Sequence, residues 1–158
     1  MKLSQELNDA LCQQILHEMR NVVIYMQIAS YFDDLRLNKL SKYFIKQSQH
    51  EKEHADMFMK YINSRTGGNV MLGEIEEPML SLSDINSVVD AYVMVEESTT
   101  KSIEDLYSLA LGERSYMDLG FIQGMLNEQV EEEDSAMSFS LRAKMAKDLV
   151  LFDATFGE

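Results

Sequence analysis

Four long segments of this chain carry apolar residues at alternating intervals of three and four positions, which is the spacing of a buried helix face. The chain has a single proline, Pro78, so these segments can run as uninterrupted helices. We predict helices over 5–33, 36–64, 84–112 and 115–145, and a short fifth helix over 147–156. An all-α protein follows.

The connections between these helices constrain how they pack. The joints after the first and third helices are short, which predicts two antiparallel hairpins. The segment between the second and third helices has about 19 residues and reaches about 60 Å when extended at roughly 3.3 Å per residue. A helix of about 28 residues is only about 42 Å long. We therefore predict one domain over 1–158, a four-helix bundle whose hairpins are joined by a long crossover, with a short C-terminal fifth helix.

Polar side chains interrupt all four apolar faces near their middle. The groups are carboxylates, one imidazole and one amide: Glu18, Glu51, His54, Glu96, Gln129 and Glu132. Burying one ionised carboxylate costs several kcal/mol, so burying four of them would rival a typical total stability of roughly 5–15 kcal/mol. Two divalent cations would neutralise the four carboxylates. The pattern predicts a dinuclear metal site in the bundle core.

The ligand types and the charge of the chain narrow the metal and the partners. Carboxylates with one imidazole and no thiolate suit iron or manganese, whereas zinc would bind without redox chemistry. The chain has 14 Lys and Arg against 27 Asp and Glu, a net charge of −13, which disfavours nucleic-acid and membrane partners and attracts cations. One cysteine, Cys12, allows no intramolecular disulfide, and we see no signal-peptide pattern or membrane-spanning run. We expect a cytoplasmic protein.

Five stretches of the sequence resemble bacterial non-haem ferritins over nearly the whole chain. They are "LHEMRNVVIYMQ", "EKEH", "VMVEES", "NEQVEEED" and the crossover "TGGNVMLGEIEEP". The resemblance implies a ferritin-like fold in which Glu18, Glu51 and His54 hold one iron. It implies that Glu51, Glu96 and Glu132 hold the second. Gln129 would lie beside the pair, and Tyr25 would be the tyrosine of that family's mechanism, the alternative being a purely packing role.

The function implied by the resemblance is iron storage and detoxification. Fe(II) would be oxidised to Fe(III) by dioxygen or peroxide, and the ferric mineral would be kept inside a homo-oligomeric shell of 24 subunits. Helix four offers Gln129-x-x-Glu132 where oxygen-activating di-iron enzymes and bacterioferritins carry a second Glu-x-x-His. Lys52 stands at the position of the haem-ligating Met of bacterioferritins, so we expect no haem. The alternatives are a di-iron oxidase or peroxidase of the rubrerythrin or bacterioferritin type, and a metal-free helical bundle.

A third iron site and several smaller features complete the predictions. Some bacterial ferritins hold a third iron with carboxylates like Glu128 and Glu131 and one residue of helix two, here His50; a solvated charge run is the alternative. We expect His17 to lie on the solvated surface and the twelve methionines to fill the core. The fifth helix is either that of the ferritins or a simple amphipathic cap.

Overall fold

The computed structural model describes residues 1–157 and is a four-helix bundle with a short fifth helix, which confirms the predicted fold class. The helices are α1 (Gln5–Asp34), α2 (Asn38–Ser64), α3 (Ile85–Gly112), α4 (Tyr116–Met145) and α5 (Leu149–Ala154). Helix α1 packs along α2, α3 packs along α4, and α1 joins the hairpins by contacting α3. The predicted bounds of the long helices differ by one or two residues, whereas α5 is shorter than the predicted 147–156 because Asp148 caps it.

Both hairpins turn at an arginine in the left-handed region. Arg36 has φ 62° and Arg114 has φ 59°. The amide of Leu37 donates to the carbonyl of Phe32 at 2.9 Å, and that of Ser115 to the carbonyl of Ala110 at 2.8 Å, so each turn satisfies carbonyls left over at a helix end. These tight turns set the two antiparallel pairs.

The crossover from α2 to α3 begins with two glycines that the backbone requires. Gly67 has φ +84°, and a Cβ on Gly68 would lie 1.9 Å from the carbonyl oxygen of Ile62. Asn8 and Asn69 then exchange hydrogen bonds of 2.8 and 2.9 Å, which tie the crossover to the first turns of α1. The segment is thereby fixed to the bundle that it crosses.

Two apolar clusters fill the bundle and leave a polar layer between them. One contains Tyr25, Phe44 and Tyr92, and the other contains Leu11, Phe58 and Ile103. Helix α5 buries Phe152 in the first cluster, and its Asp153 accepts a hydrogen bond of 2.8 Å from the amide of Leu40. The fifth helix therefore packs on one end of its own bundle.

The prediction that methionines fill the core is wrong. Ten of the twelve are exposed, and only Met125 is buried. Leucine, isoleucine and aromatic side chains take the core positions, while the methionines lie on the outer helix faces and in the crossover. Within residues 1–157, none of the helices combines the length and apolar character needed to cross a membrane.

Candidate metal centre

The polar layer between the two apolar clusters brings together the six predicted groups of the dinuclear site. α1 supplies one carboxylate, α2 a carboxylate and an imidazole, α3 a carboxylate, and α4 an amide and a carboxylate. Their exposed fractions do not exceed 6%: Glu18, Glu51, His54, Glu96, Gln129 and Glu132. Such a concentration of buried carboxylates requires compensating charge.

Two overlapping groups of ligand atoms occupy this layer. In the first, one atom each from Glu18, Glu51 and His54 lies within 4.8 Å of the others. In the second, the same limit joins atoms of Glu51, Glu96 and Glu132. Glu51 belongs to both, so its carboxylate is placed to bridge two neighbouring cations.

Buried atoms without hydrogen-bond partners concentrate in the first group. Five buried side-chain polar atoms lack a partner in the described chain, and four of them are Glu18 Oε2, Glu51 Oε1 and both ring nitrogens of His54. Leaving a buried polar atom unpaired costs about 1–3 kcal/mol, more for a charged group. One oxygen from each of the two carboxylates and one nitrogen of the imidazole, all within 4.8 Å of one another, form a donor set that suits a metal ion.

The electrostatics of the metal-free layer favour protons on two carboxyls. Burial, and then the charge of Glu51, raises the pKa of Glu18 well above its ordinary value. The same two causes raise the pKa of Glu96 to about 8. Burial acts to raise the pKa of Glu51 too, but His54, Glu18 and Asn21 hold it below its ordinary value. A cation entering this layer therefore competes with protons.

Amide side chains that the sequence analysis did not single out orient the carboxylates. Gln14 Nε2 donates to Glu18 Oε1 at 3.0 Å, and Asn21 Nδ2 donates to Glu51 Oε2 at 3.1 Å. Both are buried. Gln14 lies four residues before Glu18 and Asn21 three after it, so both share its helix face. Their spacing from Glu18 is therefore the feature of the sequence that could have identified Gln14 and Asn21.

Gln129 and Tyr25 both contact the carboxylate of α3. Gln129 Nε2 donates to Glu96 Oε2 at 3.2 Å, and the Tyr25 hydroxyl donates to Glu96 Oε1. Tyr25 is fully buried, and burial followed by the charge of Glu96 raises the pKa of its phenol well above the ordinary value. Both residues therefore contact one of the predicted metal ligands.

His17 does not lie on the solvated surface as expected. It is half-buried, and its Nε2 lies 2.9 Å from the hydroxyl of Thr99, which also accepts from Asn21 Nδ2 at 2.8 Å. Burial lowers the pKa of His17. The contact between α1 and α3 encloses the ring, which a one-helix pattern does not reveal.

A third cluster adjoins the layer on its α2–α4 side. One ligand atom from each of His50, His54, Glu128 and Glu132 lies within 4.8 Å of the others. His50 Nε2 is 2.6 Å from Glu132 Oε1 and 4.0 Å from Glu128 Oε2. The hydrogen bond to Glu132 raises the pKa of His50 to about 9. Glu131 is exposed and is not part of this cluster, although the sequence analysis placed it in the third site.

Comparisons with known proteins agree with this architecture. A sequence family described as a ferritin-like domain matches residues 8–140. The bacterial non-heme ferritin of Staphylococcus saprophyticus is 31% identical over 131 residues, covering 83% of this chain and 78% of that protein, and that of Staphylococcus aureus is 30% identical over the same shares. An open-pore ferritin from Archaeoglobus fulgidus superposes with a TM-score of 0.92 at 30% identity and covers 98% of both chains. A form of that ferritin engineered to be closed superposes with a TM-score of 0.89 at the same identity, over 98% of this chain and 96% of that one.

Proposed function

Because this chain belongs to the ferritin-like family, we propose that it oxidises Fe(II) to Fe(III) at a dinuclear centre in each subunit and stores the ferric product in a homo-oligomeric shell of 24 subunits. The observation that carries the proposal is the position of Glu51, which belongs to both groups of buried ligand atoms. Iron is the substrate and cargo of this site. Storage also detoxifies, since ferrous iron is removed from solution.

The two irons have different sets of ligands that share Glu51. Glu18, Glu51 and His54 hold the first ferrous ion, and Glu51, Glu96 and Glu132 hold the second. Two ferrous ions give one electron each to dioxygen, which takes up two protons and leaves as hydrogen peroxide. Peroxide is a second oxidant for the same pair. Gln14 and Asn21 keep Glu18 and Glu51 oriented during these steps.

The ligand sets favour passage of iron over its retention. The second group has carboxylate oxygens only, because Glu132 stands where a second Glu-x-x-His would supply an imidazole and Gln129 stands where it would supply a carboxylate. Gln129 instead donates to Glu96. Ferric iron held by exchangeable carboxylates can move on, whereas a di-iron oxidase of the rubrerythrin or bacterioferritin type keeps its metals. This difference favours storage over oxygen activation on an organic substrate.

The third cluster provides a position for iron beside the centre. We assign it to His50, Glu128 and Glu132, whereas the exposed Glu131 lies outside the cluster. Iron bound there would take the place of the hydrogen bond between His50 and Glu132, and both side chains would bind the iron. An iron-soaked crystal with a third metal at these residues is the expected result, and Glu128→Gln should remove that metal while Glu133→Gln, on the exposed face, keeps it. Only two metals per subunit in the wild type would refute the third site.

One measurement separates the proposed function from its alternatives. Purified protein is loaded aerobically with excess Fe(II), run on a sizing column, and its iron is counted per particle. A ferritin elutes as a large shell that carries far more iron than its dinuclear sites can hold. Iron limited to two atoms per chain would indicate a di-iron oxidase, and iron-free protein a structural bundle.

A further inference from the structure

Three tyrosines form a continuous path through the apolar cluster next to the centre. The rings of Tyr25 and Tyr92 meet edge to face with centroids 5.6 Å apart. Tyr92 and Tyr43 share a hydrogen bond of 2.9 Å between their hydroxyls, and their ring centroids are 6.2 Å apart. Since the chain has no tryptophan, tyrosine is its most easily oxidised aromatic residue.

The two ends of this path have different surroundings. Tyr25 and Tyr92 are fully buried, and the Tyr25 hydroxyl donates to the ligand carboxylate of Glu96. Tyr43 is half-buried and lines a cavity of about 130 Å³ together with Lys39, Lys42, Lys46 and Phe156. The path therefore leads from the centre to a basic opening in a protein of net charge −13.

The other aromatic neighbours of the path cannot carry charge in the same way. Phe44 packs against both Tyr25 and Tyr92, and Phe139 packs against Tyr92 and Tyr43. Phenylalanine has no phenolic proton to release and is much harder to oxidise. These rings pack around the path, and within residues 1–157 the phenols in ring contact with Tyr92 are those of Tyr25 and Tyr43.

We propose that Tyr25, Tyr92 and Tyr43 form a relay that carries single oxidising equivalents from the iron centre to the surface, where an anionic one-electron donor such as ascorbate reduces Tyr43. This inference rests on the proposed ferroxidase function, which produces peroxide. The relay acts when peroxide meets a centre that holds only one ferrous ion. It protects the core from the radical that forms there.

The electrons and protons of this reaction balance. The ferrous ion gives one electron to hydrogen peroxide, the O–O bond breaks, and hydroxide and a hydroxyl radical form. Tyr25 gives an electron to the radical, which becomes hydroxide, and passes its phenolic proton to Glu96. Tyr92 then gives an electron to Tyr25, which regains that proton, and Tyr92 passes its own phenolic proton to the Tyr43 oxygen along their hydrogen bond. Tyr43 gives an electron and this proton back to Tyr92 and releases its own phenolic proton to solvent. Ascorbate finally transfers a hydrogen atom to Tyr43 and leaves as the ascorbyl radical.

Freeze-quench electron paramagnetic resonance tests the relay on the full-length protein. Protein holding fewer than one ferrous ion per chain is mixed with hydrogen peroxide, and ascorbate is added after the tyrosyl radical has formed. We expect ascorbate to quench the radical in the wild type and in Tyr107→Phe, a half-buried tyrosine in the other apolar cluster. In Tyr92→Phe and Tyr43→Phe quenching should slow by about tenfold or more, equivalent to about 1.4 kcal/mol in the barrier. High salt should slow quenching by ascorbate in the wild type by screening the lysines.

The outcomes separate the relay from the function on which it rests. Wild type and Tyr107→Phe that fail to oxidise Fe(II) rapidly would overturn the proposed function. Rapid iron oxidation together with quenching in Tyr92→Phe as fast as in the wild type would overturn the relay alone. So would a wild type that oxidises iron without a tyrosyl radical. Salt-independent quenching by ascorbate would overturn the basic opening as the point of entry.

Discussion

At the scale of single residues, Glu51 serves metal binding at the expense of the stability of the metal-free protein. Its side chain is fully buried, one carboxylate oxygen has no partner, and Glu18 lies close enough to share a cation with it. In the metal-free protein His54, Glu18 and Asn21 offset the desolvation of this charge, but the charge in turn raises the pKa of Glu18 and of Glu96. The residue that binds both irons is therefore a cost to the empty bundle.

Replacing this carboxylate by an amide of the same shape should exchange activity for stability. We expect Glu51→Gln to lose rapid iron oxidation and to stabilise the metal-free protein by about 1–3 kcal/mol, because the charge that opposes ionisation of the buried Glu18 and Glu96 disappears. Stopped-flow oxidation and chemical unfolding measure the two effects. Glu97→Gln, an exposed neighbour of Glu96, is the control and should change neither. Oxidation at the wild-type rate in Glu51→Gln would sink the dinuclear assignment.

The predictability of the site differs between its ligands and their supports. The titratable ligands could be found because charged groups on the apolar faces of four helices at once require a compensating ion. They are Glu18, Glu51, His54, Glu96 and Glu132. Gln14, Asn21 and Thr99 are polar and uncharged, so burying them costs much less free energy than burying a charge and does not by itself indicate a site. Their role depends on which rotamers the neighbouring helix allows, and a single-helix pattern does not contain that information.

At the scale of elements, the first turn of α4 is held to the end of α2 by a buried ion pair. Asp118 is fully buried and accepts hydrogen bonds from Arg65 Nε at 2.6 Å, from Tyr61 and from Ser115. This pair does not follow from helix periodicity, because Arg65 lies beyond the predicted helix. Desolvation acts to raise the pKa of Asp118, but the hydrogen bonds from Arg65, Ser115 and Tyr61 hold it below its ordinary value.

Removing this pair should make the α2–α4 junction the weak point of the bundle. We expect Asp118→Asn to lower the free energy of unfolding by about 3 kcal/mol near neutral pH, because the Arg65 charge loses its partner. Since the folded pKa is lowered, the contribution of Asp118 is complete above the unfolded value near ~3.9 and is lost as the pH falls through the folded value. Urea unfolding at a series of pH values measures this. The difference between wild type and variant should shrink in acid; a difference that is constant with pH would contradict the assignment.

The same junctions show what helix periodicity leaves undetermined. The bounds of the long helices follow from where the apolar spacing begins and ends. The left-handed turns at Arg36 and Arg114 do not, because glycine is the usual residue there and the chain uses arginine instead. The exposed methionines escaped prediction for a related reason: their apolar character fits a core, but leucine, isoleucine and aromatic residues already fill it.

At the scale of the whole molecule, the layer of buried carboxylates links metal binding to the stability of the entire bundle. All four long helices contribute to the layer, so a cation bound there holds both hairpins at once. A ligand that binds only the folded state at about 100 times its Kd adds about 2.7 kcal/mol to the free energy of unfolding. The unfolded chain cannot assemble ligands from four separate helices.

A redox-inactive ion should therefore raise the melting temperature without any oxidation. We expect Zn²⁺ at such an excess to raise the Tm by about 5–10 °C for a chain of this size, and a chelator to reverse the shift. Calorimetry at one pH and one protein concentration measures it. The Glu51→Gln variant, which begins with a higher metal-free Tm, should gain much less from zinc because the ligand common to both ions is gone. An equal rise in wild type and variant would place the zinc on surface carboxylates and would contradict a core site that spans the bundle.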